Sequence, residues 1–476
     1  ISDQIIKDEL KIFNKLLKKN NSYNPQVYDD SINRISESLY KNAQFFFEID
    51  VLEKEDENNI DIKFVILDTE PRYVNNINIF GNTRTKEKVI RREMTFVEGD
   101  PFNEIEISNS KRKLQNLGFF KTVEINDDKL DNEVDINITV DEKLTGEFNV
   151  GVGFDSYDGA TFITGLKEKN IYGDGRELNV KVDTSSRNTI YSIGLVEPYI
   201  FNKDIDLIFD ISYAFKDRSE NKSYDLEEFN TDLGFKYALT DKVSHSIILE
   251  YVLKNYEITS TSASNSIKKL GGNNADILLN NKINYYDLDS FIRPSKGSNA
   301  NYTNVVSPST NDDNGYIKNY LTYSKYFSIK RKNILSFKAQ LGNIFSLQNT
   351  EIPTEDKFAL GGKWLRGFDR FGVGPRESRA SYIGGRNVIA TKVDYSRPIL
   401  GTSDNPIDFN LFTDAGTVFD NKVTPTYSEE SIRASYGFGL RFYSPIGPIG
   451  FSWGFPLMKE DHDIERMFSF NIGLMN

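Results

Sequence analysis

The chain has 476 residues, room for two or three domains, and its 70 Asp and Glu outweigh 58 Lys and Arg to give a formal net charge of −12. It has no cysteine and two histidines, His245 and His462, which excludes disulfide frameworks, thiol catalysis and histidine-rich metal sites. Charges of both signs are interspersed with no basic stripe, so nucleic acid is not an expected partner, and 34 Phe with 25 Tyr against 2 Trp favour strands.

Residues 1–143 mix helical and strand patterns and contain an internal repeat, a feature that defines architecture before any single element does. Residues 1–19 are helical in pattern and run straight into the first copy. In that copy a helix at residues 31–39 (SINRISESL) carries Ile32, Ile35 and Leu39 on one face. Strands follow at Phe45-Phe46-Phe47-Glu48-Ile49 and at residues 60–68 (IDIKFVILD). The second copy has extra parts in front. A strand at residues 74–80 ends at Gly81-Asn82, a turn signal. A helix is expected over residues 85–94 (TKEKVIRREM), with Thr83 or Thr85 as its N-cap. A second helix at residues 108–117 leads to strands at 119–125 and 134–142, and in the last of these Val134, Ile136, Ile138 and Val140 alternate strictly. The order is β-α-α-β-β. The first copy starts at its helices and residue 1 opens no signal-peptide pattern, so that copy is expected to lack its leading strand.

This pattern resembles the POTRA domain, a periplasmic module found in strings before certain barrels. The resemblance rests on Gly81-Asn82-Thr83, Arg91-Arg92-Glu93-Met94, Glu98-Gly99 and Leu117-Gly118-Phe119-Phe120. It assigns residues 1–70 to an incomplete POTRA domain and residues 71–143 to a second one beside a barrel.

From Leu144 the helical periodicity stops, and strand follows strand between Asn-, Asp-, Gly- and Ser-rich loops. A mean hydropathy of −0.48 and the lack of any run of about 18 apolar residues exclude a transmembrane helix. They leave a barrel open, because strands that alternate lipid-facing apolar and lumen-facing polar residues average out as mildly polar. Residues 432–443 (IRASYGFGLRFY) show the alternation most clearly. Phe148, Val150, Val152 and Phe154 repeat it at one end of the region, and Phe468, Phe470, Ile472 and Leu474 at the other. Residues 144–476 have room for about 14–18 spanning strands with loops, so a transmembrane antiparallel β-barrel of about 16 strands is expected.

The motif that bears on function lies in a long irregular stretch, residues 360–376 (LGGKWLRGFDRFGVGPR). Its centre, Leu365-Arg366-Gly367-Phe368, resembles the (V/L)RG(F/Y) signature of the BamA superfamily, which that family carries on an extracellular loop folded back into the barrel. An arginine in a partly dry lumen needs an anionic partner. Ala390, Lys392 and Asp394 share one strand face, and Asp408, Asn410, Phe412 and Asp414 share the next, so the resemblance implies Asp394 and Asp414 as barrel-wall partners of Arg366. The string 412–418 (FTDAGTV) and the hairpin Ser444-Pro445-Ile446-Gly447-Pro448-Ile449 also resemble the family.

The resemblance further implies a lateral seam where the last strand, residues 468–474, pairs with the first, residues 146–154. Gly146, Gly151 and Gly153 weaken the first strand. Phe148 and Val150 on one side and Phe468, Phe470, Ile472 and Gly473 on the other complete the seam, with Val150 expected across from Phe470. A poorly paired seam offers free backbone groups to a client strand. The chain ends Leu474-Met475-Asn476, without the aromatic terminus usual in the family.

The resemblance implies an insertase that folds and inserts other barrel proteins from a bacterial outer membrane, with POTRA domains in the periplasm. Expected partners are unfolded outer-membrane clients, outer-membrane lipids and assembly lipoproteins, with Glu93 as a candidate lipoprotein contact. No cofactor and no enzymatic reaction is expected: Gly450-Phe451-Ser452-Trp453-Gly454 fits a nucleophile elbow but lies in an alternating strand. A POTRA-barrel secretion transporter and a TamA-like assembly factor are the competing readings, separable by the number of POTRA units. A plain porin would need no POTRA units.

Overall fold

A computed structural model describes Lys11 and residues 25–41, 44–56, 59–263, 265–308, 315–329, 332–347, 352–378, 381–401, 406–420, 430–444 and 447–473. The helical pattern of residues 1–19, apart from Lys11, and the terminal Leu474-Met475-Asn476 lie outside these. The chain divides into two compact units, Ile1–Gly146 with Lys169–Gly175, and Glu147–Glu168 with Arg176–Asn476.

In the first unit, helix α1 (Pro25–Lys41) buries Ile35 and Leu39, and strands β1 (Phe47–Asp56) and β2 (Asn59–Asp68) form an antiparallel pair. The second repeat runs β3 (Tyr73–Phe80), α2 (Glu87–Arg91), α3 (Glu104–Asn116), β4 (Phe120–Leu130) and β5 (Glu133–Glu142). Its sheet has the order β3-β5-β4, with β3 parallel and β4 antiparallel to β5. The alternation in β5 sets its buried face: Val134, Ile136, Ile138 and Val140 are at most 3% exposed and pack with Val89, Ile90, Leu114 and Phe120. Each such side chain contributes about 2 kcal/mol of burial. Helix α3 starts where Asn103 accepts a hydrogen bond from the Ile105 amide (2.8 Å). Helix α2 is shorter than expected and uses neither threonine as its cap. The Thr83 hydroxyl and the Thr85 amide both donate to the Glu142 carboxylate (2.8 and 2.7 Å), and Lys86 occupies the cap position.

The second unit is a closed antiparallel barrel of sixteen strands. It opens with β6 (Gly146–Asp155), β7 (Gly159–Ile171), β8 (Arg176–Ser185), β9 (Asn188–Glu197) and β10 (Asp206–Asp217). It continues through β11 (Tyr224–Thr240), β12 (Val243–Ile258), β13 (Gly272–Leu288), β14 (Gly297–Ser307), β15 (Tyr316–Ile329) and β16 (Asn333–Ser346). Three short strands, β17 (Gly367–Phe368), β18 (Arg376–Ser378) and β19 (Ser381–Tyr382), interrupt the meander. The wall resumes with β20 (Asn387–Gly401), β21 (Pro406–Phe419), β22 (Arg433–Ser444) and β23 (Gly447–Met458). After the two-residue β24 (Glu465–Arg466), β25 (Phe468–Ile472) pairs with β6 and closes the ring.

The wall is turned inside out relative to a soluble barrel. In β10, Phe209, Ile211, Tyr213 and Phe215 are exposed while Ala214 between them is buried. In β22, Arg433 and Ser435 are fully buried and Tyr436 and Phe438 are exposed. Apolar residues outside and polar residues inside suit a lipid surround, and closure removes the open edges that lipid would not tolerate. Among the described residues no helix is long and apolar enough to cross a membrane.

Candidate functional site

The stretch between β16 and β20 folds into the barrel and carries the Leu365-Arg366-Gly367-Phe368 motif. Leu365 and Phe368 are fully buried, packed with Leu360, Val373, Val388, Ala390 and Val418. Arg366 reaches the wall between them. Its backbone amide and Nε donate to Asp414 Oδ2 (3.0 and 2.7 Å), Nη2 donates to Asp414 Oδ1 (2.6 Å), and Nη1 donates to Asp394 Oδ1 (2.7 Å). The guanidinium also stacks 3.5 Å from the Phe412 ring centroid, a cation–π contact. Strand register explains why one arginine meets both acids: Lys392 faces Asp414 and Asp394 faces Phe412 across β20 and β21, so the two carboxylates sit diagonally on one inner face. The paired arginine is held even more firmly protonated than usual, the two carboxylates outweighing its burial.

Gly367 completes the motif for a steric reason. Its φ is +96°, and an added Cβ would lie 3.2–3.4 Å from Gly454 and Ser435. From the opposite side, a Cβ on Gly454 would come 2.6 Å from the Gly367 nitrogen. Motif and wall therefore meet backbone to backbone, and the G-x-S-x-G string supplies a close-approach glycine within β23.

A second anchor, which sequence reasoning missed, holds residues 352–358 of the same loop. Glu355 accepts from Lys222 Nζ (2.7 Å) and the Tyr224 hydroxyl (2.8 Å). Lys254 donates to the Asp356 carboxylate (3.2 Å), Lys318 donates to the Asp356 carbonyl (2.7 Å), and Lys357 pairs with Asp420 (3.1 Å). Lys254 and Lys318 stand on inward strand faces and Lys222 ends a one-turn helix (Ser219–Lys222), but their partners Glu355 and Asp356 lie in an irregular segment that no periodicity marks.

At the seam, the five residues of β25 pair with β23 from Phe468 to Ile472, yet among the described residues they pair with β6 at only two positions, Asn471 with Asp155 and Ile472 with Phe154. One further stitch comes from Ser156, whose amide donates to the Phe470 carbonyl (3.0 Å) and whose hydroxyl accepts from the Phe470 amide (2.8 Å). The register corrects the expectation that Val150 faces Phe470: Phe470 meets Ser156, and Phe154 stacks on Phe470 with centroids 5.3 Å apart. Gly146, Phe148 and Val150 are exposed, and Gly151 and Gly153 are half-buried. Phe468 is exposed, Phe470 and Ile472 are half-buried, and Gly473 ends the described chain with φ +80°.

Glu93 differs from expectation. It lies in the turn after α2 rather than in the helix and is only 6% exposed, with Arg92 Nε 3.6 Å from its carboxylate. A side chain so covered offers no surface for a lipoprotein.

Two family models match the chain: an Omp85 superfamily domain over residues 170–475, and a POTRA domain described as a surface antigen variable number repeat over residues 72–143. The chain is 26% identical over 420 residues to the outer membrane protein assembly factor BamA of Neorickettsia risticii, covering 87% of this chain and 56% of that protein. It is 25% identical over 455 residues to the BamA of Neisseria meningitidis serogroup B, covering 84% and 56%. The chain thus spans a little over half the length of these curated relatives. A crystal structure of BamA from Haemophilus ducreyi lacking POTRA domains 1–3 shares the fold, with a TM-score of 0.78 at 24% identity over 95% of this chain and 94% of that one. CdiB from Acinetobacter baumannii superposes less well, with a TM-score of 0.54 at 15% identity over 98% and 87%. With the barrel model matching well over half of its residues, the protein belongs to the Omp85 superfamily.

Proposed function

We propose that this protein is a bacterial outer-membrane protein assembly factor that folds and inserts unfolded β-barrel clients through the seam between β6 and β25, with its POTRA domains in the periplasm. The single observation that carries the reading is the asymmetry of β25. Five residue pairs hold it to β23, and two described pairs join it to β6. On this reading β6 is a template to which a client strand can add by β-augmentation. The exposed Phe148, Val150 and Val152 make that edge apolar on its outer side, where a client must meet lipid. Outer-membrane lipids and assembly lipoproteins remain the other partners of this reading, the latter at a surface other than Glu93. The BamA relatives supply the class of client.

The chain has no cysteine of its own, so a disulfide across the seam is clean to introduce. Phe154→Cys with Ile472→Cys joins directly opposite residues. Oxidised protein in liposomes should fail to insert an unfolded outer-membrane barrel, and reduction should restore insertion. Equal insertion by the oxidised and reduced forms would overturn the seam mechanism.

A further inference from the structure

The inward loop touches the chain on both sides of the seam between β6 and β25. We propose that the inward loop is also a clasp across the seam, with the adjacent residues Asp369 and Arg370 gripping its two sides and their release freeing it to open. The proposal rests on insertion through the β6–β25 seam and adds what controls it.

On the last-strand side the loop is built into the chain leading to β25. Strand β17 pairs with β24, so Gly367 faces Arg466 and Phe368 faces Glu465. The Asp369 amide donates to the Ile464 carbonyl (2.8 Å), and the Ile464 amide donates to the Gly372 carbonyl (3.0 Å). Arg466 then donates from Nε and Nη2 to the two Asp369 oxygens (2.9 and 3.1 Å). Arg466 lies two residues before Phe468, the first residue of β25.

On the first-strand side the same loop reaches the turn after β6. Arg370 donates to the Asp158 carboxylate. Lys363 lies 3.8 Å from Asp155, the residue paired with Asn471. Tyr157 fills the space between the two grips: its ring lies 5.7 Å from the Arg466 guanidinium and alongside Gly362. Asp155 shapes the turn by accepting from the Tyr157 and Asp158 amides (2.7 Å each). Phe371, the next residue of the loop, is held at φ +58°, a left-handed conformation that a bulky side chain adopts only when its surroundings impose it.

Burial separates the clasp from the anchor. Asp414 is fully buried beneath Arg366, whereas the Asp369–Arg466 and Arg370–Asp158 side chains are between 25% and 38% exposed. Pairs that wet are individually weak and screened by salt. They suit a contact that must let go, while Arg366 keeps the loop in the lumen.

The test places spin labels on Val152→Cys in β6 and Leu411→Cys in β21, both exposed, in the full chain reconstituted in lipid. Asp369→Asn with Arg370→Gln should enlarge the population at long distances about three- to tenfold, the sum of two weak pairs. Raising salt should enlarge it more in the parent than in the double variant, which keeps only the Lys363–Asp155 pair of the charges described at the seam. Arg370→Asp alone should open the seam, and adding Asp158→Arg should close it again, which keeps the idea falsifiable if the neutral variant folds poorly. Distance distributions that match the parent in every variant, or a swapped pair that fails to re-close, would overturn the clasp. That failure is distinguishable from failure of the seam mechanism, which shows instead as insertion by the oxidised Phe154→Cys, Ile472→Cys protein.

Discussion

Replacing Arg366 by alanine should release the inward loop from the barrel wall. The side chain makes three of its four hydrogen bonds, the backbone amide making the other, and its loss leaves two carboxylates facing a partly dry lumen, with Asp414 fully buried and Asp394 7% exposed. Removing one partner of a buried ion pair costs about 3–5 kcal/mol, because the other charge stays behind. At 1.4 kcal/mol per tenfold, the open population of the loop should rise roughly a hundred- to four-thousandfold. When reclosing outpaces cleavage, proteolysis follows that population. Trypsin sites stand ready at Lys363 and Arg370 on either side of the motif. Digestion in lipid, followed by mass spectrometry of cuts between Gly361 and Gly374, reads the change, with barrel integrity checked by heat-modifiable gel mobility. Asp414→Asn should expose the loop more than Asp394→Asn, since Asp414 accepts three of the four bonds and Asp394 one. Arg366→Lys should fall between, keeping the charge but losing the fork. A rise of less than about tenfold for Arg366→Ala, or equal effects of the two asparagine variants, would refute the pairing as the loop's anchor.

Gly454→Ala should displace the motif, because its Cβ would come 2.6 Å from the Gly367 nitrogen and 2.8 Å from the Arg366 carbonyl carbon; an overpacking cost of about 1–3 kcal/mol should appear as faster hydrogen exchange at Gly367 and Phe368. Glu355 is buried, which raises its pKa, but Lys222, Arg218 and Lys216 outweigh burial and hold it well below the usual range. Its stabilisation of residues 352–358 is therefore complete above the unfolded value of about 4.3 and lost only as pH falls below it towards the folded value. Hydrogen exchange should find that segment protected down to about pH 4 in the parent and already loosened at pH 7 in Glu355→Gln; a Gln variant matching the parent at pH 7 would refute the role. Planar-bilayer recordings should show small, irregular conductance, since the loop lies inside the lumen, and a large steady pore would refute that and favour a channel.

Legibility in the sequence followed periodicity. The period-two pattern of β5 identified its buried face residue by residue, and the same pattern in β22 separated Arg433 and Ser435 from Tyr436 and Phe438. Arg366 and its two acids were legible because Leu365-Arg366-Gly367-Phe368 resembles a family signature whose arginine implies acidic wall partners, and the period-two faces of β20 and β21 offered Asp394 and Asp414 for that role. What escaped has no period. The second anchor joins Lys222 to Glu355 across 133 residues, and nothing near Glu355 marks it as a partner. The seam register depends on where β25 starts relative to β23, so a join expected at Val150 and Phe470 lies instead at Phe154 and Ile472. Helix α2 starts late, at Glu87, because Thr83 and Thr85 bond Glu142 at the far end of β5, a tertiary contact that local capping rules do not contain.

The inward loop grades its contacts along its length. Residues 352–358 and Arg366 hold by charges withdrawn from water, where losing a partner is expensive. Asp369 and Arg370 hold by charges at the water's edge, where losing one is cheap. The expensive contacts face β12, β15, β20 and β21, on the continuous wall, and the cheap ones face Asp158 and Arg466, on either side of the seam. Under the proposed clasp, rising salt or an arriving strand acts first on the contacts at the seam, and the seam can part while the loop stays seated. The reverse order would eject the loop before the wall opened and turn the lumen into a pore.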